Sequence, residues 1–108
     1  MAIVQNINSK ESRILFRQHS VGRDSNNICV INKQQISRKH AVIFWDDEGW
    51  KLEDFSSSGT KLNTKTVNNG VQLLQIDDLI QFSDSQYDQW KVINLDEPRS
   101  FLKAIDER

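Results

Sequence analysis

Cysteine, proline and glycine are all scarce in this chain, and no apolar run is long. Cys29 is the only cysteine, so an internal disulfide is excluded, and with only His19 and His40 available no zinc site can be assembled. Cysteine use of this kind fits a reducing compartment, and an intracellular, cytoplasmic protein is expected. Cys29 itself lies among Ile28, Val30 and Ile31, where a free thiol reads as a small buried hydrophobe. No stretch approaches the ~20 apolar residues of a membrane helix. The start, Met1-Ala2-Ile3-Val4-Gln5-Asn6, lacks the basic region and long apolar run of a secretory signal. Charge of either sign is not in excess: the net value is −1, so no global field draws in nucleic acid or an anionic membrane. Glycine-rich nucleotide cradles are missing as well. Neither nucleic acid, membrane, metal nor cofactor is therefore expected as a partner.

What remains is a set of short apolar runs separated by Asn, Asp, Ser and Gly. At 108 residues the chain fits one domain with a single core. Ile3-Val4 and the run from Arg13 to Arg17 read as strand, turn, strand around Asn8 to Ser12. His19 to Gly22 leads through the polar Asp24-Ser25-Asn26-Asn27 to Ile28-Cys29-Val30. The runs from His40 to Trp45 and from Trp50 to Asp54, joined by Asp46-Asp47-Glu48-Gly49, form a hairpin with glycine at its turn. Thr60 to Asn63, Thr66-Val67, Leu73-Leu74, Leu79 to Phe82 and Tyr87 to Leu95 supply the later strands, with Asn68-Asn69-Gly70 as a turn. Many short strands at close spacing predict an all-β, mostly antiparallel sandwich or barrel. Only the tail from Pro98 reads as a short C-terminal helix, with Phe101, Leu102 and Ile105 on one side. The expected division is a domain over 1–96 and a helical tail or start of a linker over 97–108. Trp45, Trp50 and Trp90 are expected in or near the core, and His19 on a solvent-facing strand position.

Ser37, His40 and Asp54 invite a hydrolase reading, but no Gly-x-Ser-x-Gly elbow is present, and a loop-fixing Ser–His contact explains the spacing better. The carboxylates at Asp46-Asp47-Glu48 and Asp77-Asp78 read as solvated turns. Three other stretches carry more. Ser20-Val21-Gly22-Arg23, Ile36-Ser37-Arg38-Lys39-His40-Ala41, and Asp54-Phe55-Ser56-Ser57-Ser58-Gly59-Thr60-Lys61-Leu62-Asn63 each lie at a turn between strands. They supply guanidinium groups and hydroxyls, which suits a cradle for an oxyanion such as phosphate.

In that order and at those intervals, the three stretches resemble the forkhead-associated (FHA) domain family, over roughly Arg13 to Leu95. The resemblance implies an FHA-like β-sandwich of about eleven strands and a non-catalytic module that recognises phosphothreonine peptides through the loops at one end. A phosphothreonine carries about −1.5 to −2 charges and three acceptor oxygens. Arg23, placed by Gly22 at a strand end, would offer its planar fork of donors. Ser37 would donate a hydroxyl, the Arg38 N–H a further bond, and the Arg38 or Lys39 side chain longer-range charge. Ser57 stands where the family often contacts the ligand. His40, buried, would tie the Ser37 loop to the loop starting at Ser56, with Gly59, Thr60 and Asn63 holding the turns.

Ser58 departs from the family pattern, which usually has Asn there, bonded to the peptide backbone. Serine lacks the amide's separate donor and acceptor, and the loss of one neutral bond costs about 0.5–1.5 kcal/mol. The implied partner is a threonine-phosphorylated protein, a Ser/Thr kinase substrate or the kinase itself. The alternative that Ser58 leaves open is a phosphate-independent interaction or self-association domain with a degenerate site.

Overall fold

The computed structural model describes residues 1–84 and 88–98. The strands are β1 (Ile3–Asn6), β2 (Ser12–Ile14), β3 (Gln18–Gly22), β4 (Cys29–Val30), β5 (Ala41–Trp45), β6 (Trp50–Asp54), β7 (Thr60–Leu62), β8 (Lys65–Val67), β9 (Val71–Leu73), β10 (Leu79–Gln81) and β11 (Gln89–Asn94). They form a six-stranded sheet, β2-β1-β11-β10-β7-β8, and a five-stranded sheet, β4-β3-β5-β6-β9. All pairs are antiparallel except β3 with β4, where Val21 faces Cys29 and Gly22 faces Val30 in a parallel register. The all-β expectation holds, with eleven strands in two layers. The expected C-terminal helix lies outside the described residues, among which there is no helix.

Alternation places the core. On β6, Trp50, Leu52 and Asp54 are buried while Lys51 and Glu53 face outward. Ile43 faces Leu52 across the β5–β6 hairpin, and Ile80 and Val92 enter the same core from the opposite sheet. The hairpin turns through Asp47 (φ 70°) and Gly49 (φ 142°), the left-handed side of backbone space that glycine tolerates best. Trp50 also anchors the chain beyond β11, its indole N–H donating to the Asp96 carbonyl at 2.8 Å. Trp90 is buried, with the Arg13 guanidinium 5.9 Å from its ring centroid, and Trp45 packs edge-on against Trp50.

Three local expectations are corrected. β2 ends at Ile14, with Leu15 buried just beyond it and Phe16 exposed. β9 covers Val71–Leu73, and Leu74, read as strand, is instead a buried residue beyond it. His19 is not solvent-facing but 3% exposed, because it alternates with Ser20 and shares the inward face with Val21. Its Nδ1 accepts the Phe16 N–H at 3.2 Å, and the Phe16 ring stacks on it.

Burial first, and the Arg13 charge second, hold the His19 imidazole down from 6.5 to about 4. Between those values the unfolded chain takes up a proton that the folded chain refuses, so stability is expected to fall as pH drops through that window. A His19→Gln variant should show a shallower slope of urea midpoint against pH there. An unchanged slope would assign the titration to another group.

Candidate functional site

The three motif stretches meet at one end of the sandwich, where β3 stops, β5 begins and the chain crosses from β6 to β7 in the other sheet. Their backbones are bonded to one another. The Arg23 N–H donates to the Ser37 carbonyl at 3.0 Å, the Asp24 N–H to the Arg38 carbonyl at 3.2 Å, and the Phe55 N–H to the His40 carbonyl at 2.9 Å. Gly22 makes the second of these approaches possible. A Cβ there would lie 2.2 Å from the Arg38 carbonyl oxygen and 2.7 Å from the Asn27 amide nitrogen, so any side chain would push the loops apart. Asn27 completes that seam, its amide donating to the Arg38 carbonyl at 2.6 Å and to the Asp24 carbonyl at 2.9 Å.

His40 is fully buried, edge-on to Phe82. Its Nδ1 accepts the Ser37 N–H at 3.1 Å, which assigns the proton of the neutral ring to Nε2. Burial pushes this imidazole below its ordinary value, against the opposing pull of the Asp54 charge and the Gly59 backbone. Ser37 Oγ accepts the Ser57 N–H at 3.3 Å, tying the loop before β5 to the loop after β6 and leaving the hydroxyl proton available to donate outward.

Beneath these loops sits Asp54, 1% exposed. Its Oδ1 accepts the Ser56 hydroxyl at 2.6 Å and the Thr60 hydroxyl at 2.8 Å, and its Oδ2 accepts the Asn69 N–H at 3.0 Å. Ser56 Oγ in turn accepts the Gly59 N–H at 2.7 Å. Burial works to raise the Asp54 pKa, but the bonds from Ser56, Asn69 and Thr60 outweigh it and hold the carboxyl below its ordinary value. Gly59 takes φ 89°, the left-handed region, and a Cβ there would meet the Thr66 methyl at 2.5 Å.

Above this frame lies a set of uncommitted donors. Arg23 and Arg38 are exposed, and no carboxylate among the described residues pairs with either. The N–H groups of Arg38 and Ser58 have no acceptor among the described residues. Ser57 and Ser58 are exposed on the same loop, and Ser58 opens on to a groove of about 350 Å³ lined by Gln35, Lys61, Thr66, Gln81 and Asp84. Asn63 is the predicted residue that the fold takes elsewhere. It stands at the far end of β7 in a left-handed turn (φ 58°), donating to Asp78 Oδ1 and accepting the Leu79 N–H, each at 3.0 Å. The loop that it holds is the one between β7 and β8.

The hydrolase arrangement is not formed. His40 Nδ1 is taken by the Ser37 backbone N–H and not by its hydroxyl, and the Asp54 carboxylate is engaged by Ser56, Thr60 and Asn69. Among the described residues no group of three or more His, Cys, Asp or Glu side chains could hold a metal ion, and no helix is long and apolar enough to cross a membrane. Sequence reasoning missed Asn27 and the central place of Asp54. Asn27 sat in a polar run indistinguishable from a solvated loop. Asp54 carried one available signal, its position in register with Leu52 and Trp50 on a half-buried strand.

The FHA domain family model matches residues 19–83 of this chain. No functionally curated protein matches it. Among solved structures, Mycobacterium tuberculosis EmbR in complex with a low-affinity phosphopeptide superposes with a TM-score of 0.78 at 21% identity, covering 92% of this chain and 26% of that one. This chain thus spans only a minor part of EmbR. The FHA domain of an Arabidopsis thaliana hypothetical protein superposes at 0.73 with 24% identity, covering 92% of this chain and 89% of that one. The MEK1 FHA domain in complex with a HOP1 phosphothreonine peptide superposes at 0.71 with 21% identity, covering 89% and 97%. At these identities the likeness is one of fold.

Proposed function

The chain belongs to the FHA domain family, and from that premise we propose that it is a non-catalytic module that binds threonine-phosphorylated segments of partner proteins. The observation that carries this reading is the group of donors at the loop end that have no acceptor among the described residues: the Arg23 and Arg38 guanidinium groups, the Ser37 hydroxyl and the Arg38 and Ser58 N–H groups. A phosphate monoester dianion supplies the acceptors and charge that this cluster lacks. Loops of this Arg-centred kind are a recurring mode of phosphomotif recognition, of which FHA domains are an example. Arg23 and Arg38 supply charge to the phosphate, Ser37 and the Arg38 N–H complete its bonding, and Ser57 and Ser58 border it. Gly22, His40, Gly59 and Thr60 keep the loops in register. The phosphopeptide complexes of EmbR and of the MEK1 FHA domain support the reading. The partner is a substrate of a Ser/Thr kinase, or the kinase, inside the cell. The binding unit is the domain over 1–96.

A degenerate library of phosphothreonine peptides, with phosphoserine and unphosphorylated controls, tests the reading. Selective retention of the phosphothreonine members is expected, and their sequences reveal the flanking preference. Retention no higher than the controls would leave the sheet surface as the binding face. That second reading is favoured by one observation: Val71 and Leu73, on edge strand β9, are 50% and 45% exposed.

A further inference from the structure

Building on the phosphothreonine reading above, we propose that Lys39 and Phe55 form a second anion subsite beside the phosphate cradle, which takes a carboxylate or phosphate on a residue flanking the phosphothreonine.

Phe55 is 42% exposed between two buried neighbours, Asp54 and Ser56, so the backbone alternation turns a large aromatic ring out toward water at the rim of the site. No core contact accounts for it there. Its N–H is bonded to the His40 carbonyl, which sets it directly beside Lys39, and the Lys39 ammonium lies 4.4 Å from the ring centroid. A cation held over a ring face at that distance is attracted by the ring's quadrupole and is restricted in its rotamers, with the donors that point away from the ring still free. No carboxylate among the described residues pairs with Lys39.

Lys39 is the cation that points to an anion. Asp24, exposed next to Arg23 and with its N–H bonded to the Arg38 carbonyl, adds a carboxylate on the Arg23 and Arg38 side of these loops, whereas Lys39, held over Phe55, has no carboxylate partner among the described residues. The groove at Ser58, by contrast, holds Lys61 beside Asp84 at 3.4 Å and is locally neutral. An apolar flanking residue is a poorer occupant of the Phe55 rim, since the Lys39 ammonium already covers that ring and would lose water without gaining a partner.

Three phosphothreonine peptides of equal length separate the outcomes: one with alanine on both sides of the phosphothreonine, one with aspartate there, and one with a second phosphothreonine there. Titration calorimetry on the wild-type chain is expected to rank the second phosphate first, aspartate next and alanine last, with about a fivefold advantage of aspartate over alanine that shrinks as salt is raised. In Lys39→Gln this ratio should collapse toward unity, and in Phe55→Leu it should fall part of the way. Equal affinities for the three peptides in the wild type would overturn the subsite. So would a ratio that survives in Lys39→Gln, or a Lys39→Gln loss that is the same for all three peptides. The alanine-flanked peptide reports separately on the underlying reading: if it binds and the ratio is flat, only the subsite fails. If none of the three binds, both fail.

Discussion

Replacing Arg23 with alanine is expected to weaken phosphothreonine-peptide binding by about tenfold to a hundredfold while leaving the thermal midpoint where it was. The two halves of that expectation come from one fact. The Arg23 backbone N–H is bonded to Ser37, but its guanidinium has no hydrogen-bond acceptor or ion-pair partner among the described residues, so the fold loses nothing when the side chain goes. The ligand loses at least one charge-assisted bond, worth roughly 1.5–3 kcal/mol. Titration calorimetry beside a thermal melt reads both. Partner binding that survives in Arg23→Ala would favour the phosphate-independent reading, in which the exposed face near Val71 and Leu73 makes the contact.

The complementary variant is Asp54→Ala, which should damage the fold and the site together. Its carboxylate takes the Ser56 and Thr60 hydroxyls and the Asn69 N–H, and Ser56 and Thr60 are themselves buried. Leaving those donors without an acceptor costs about 3 kcal/mol or more, a large share of the 5–15 kcal/mol that holds a domain of this size together. Urea unfolding at neutral pH measures the loss. The same carboxylate gives an acid limb. Its folded pKa lies below the ordinary 3.8, so its contribution is complete above the unfolded value and is lost as pH falls through the folded one. Asp54→Ala should therefore have lost, at neutral pH, the stability that the wild type sheds in acid, and its midpoint should change less than the wild type's as pH is lowered below 3.8. Equal slopes below that value would mean that Asp54 is not the group responsible.

Much of this site is legible because its requirements are local. A glycine that lets two loops approach, an arginine at the end of a strand and a hydroxyl beside a histidine are each a matter of a few consecutive residues. The hairpin through Asp46 to Gly49 is legible for the same reason, since turn chemistry is short-range. The misreadings involve choices that short-range chemistry leaves open. His19 has charged and polar neighbours on both sides in sequence, and only the pairing of Ser20 with Val42 and of His19 with Ile43 turns its ring inward. Asn63 is expected to hold a turn, but its partners there, Asp78 and Leu79, are distant in sequence and are met only at the far end of β7. Asp54 reads as the end of a half-buried strand, and only the folded loops show its carboxylate taking the Ser56, Thr60 and Asn69 donors. The small edge strands are harder to read for the related reason that residues such as Val71 and Leu73 are left half exposed and carry little alternation.

By itself the sequence determined the class of the protein: its scarcity of cysteine, its short β-branched and aromatic runs and its turn residues leave a small all-β domain, and three ordered motifs select the family. The tertiary structure decided which polar groups are spent inside the chain and which are left for a ligand. Asp54, Ser56, Thr60, His40 and Asn27 are consumed in holding loops together, whereas Arg23, Arg38 and Lys39 keep their charge unpaired by any carboxylate among the described residues. That division depends on hydrogen bonds between residues far apart in the chain, such as Asn27 with Arg38 and Ser37 with Ser57, and a donor or acceptor shows its partner only once folding has brought the two together.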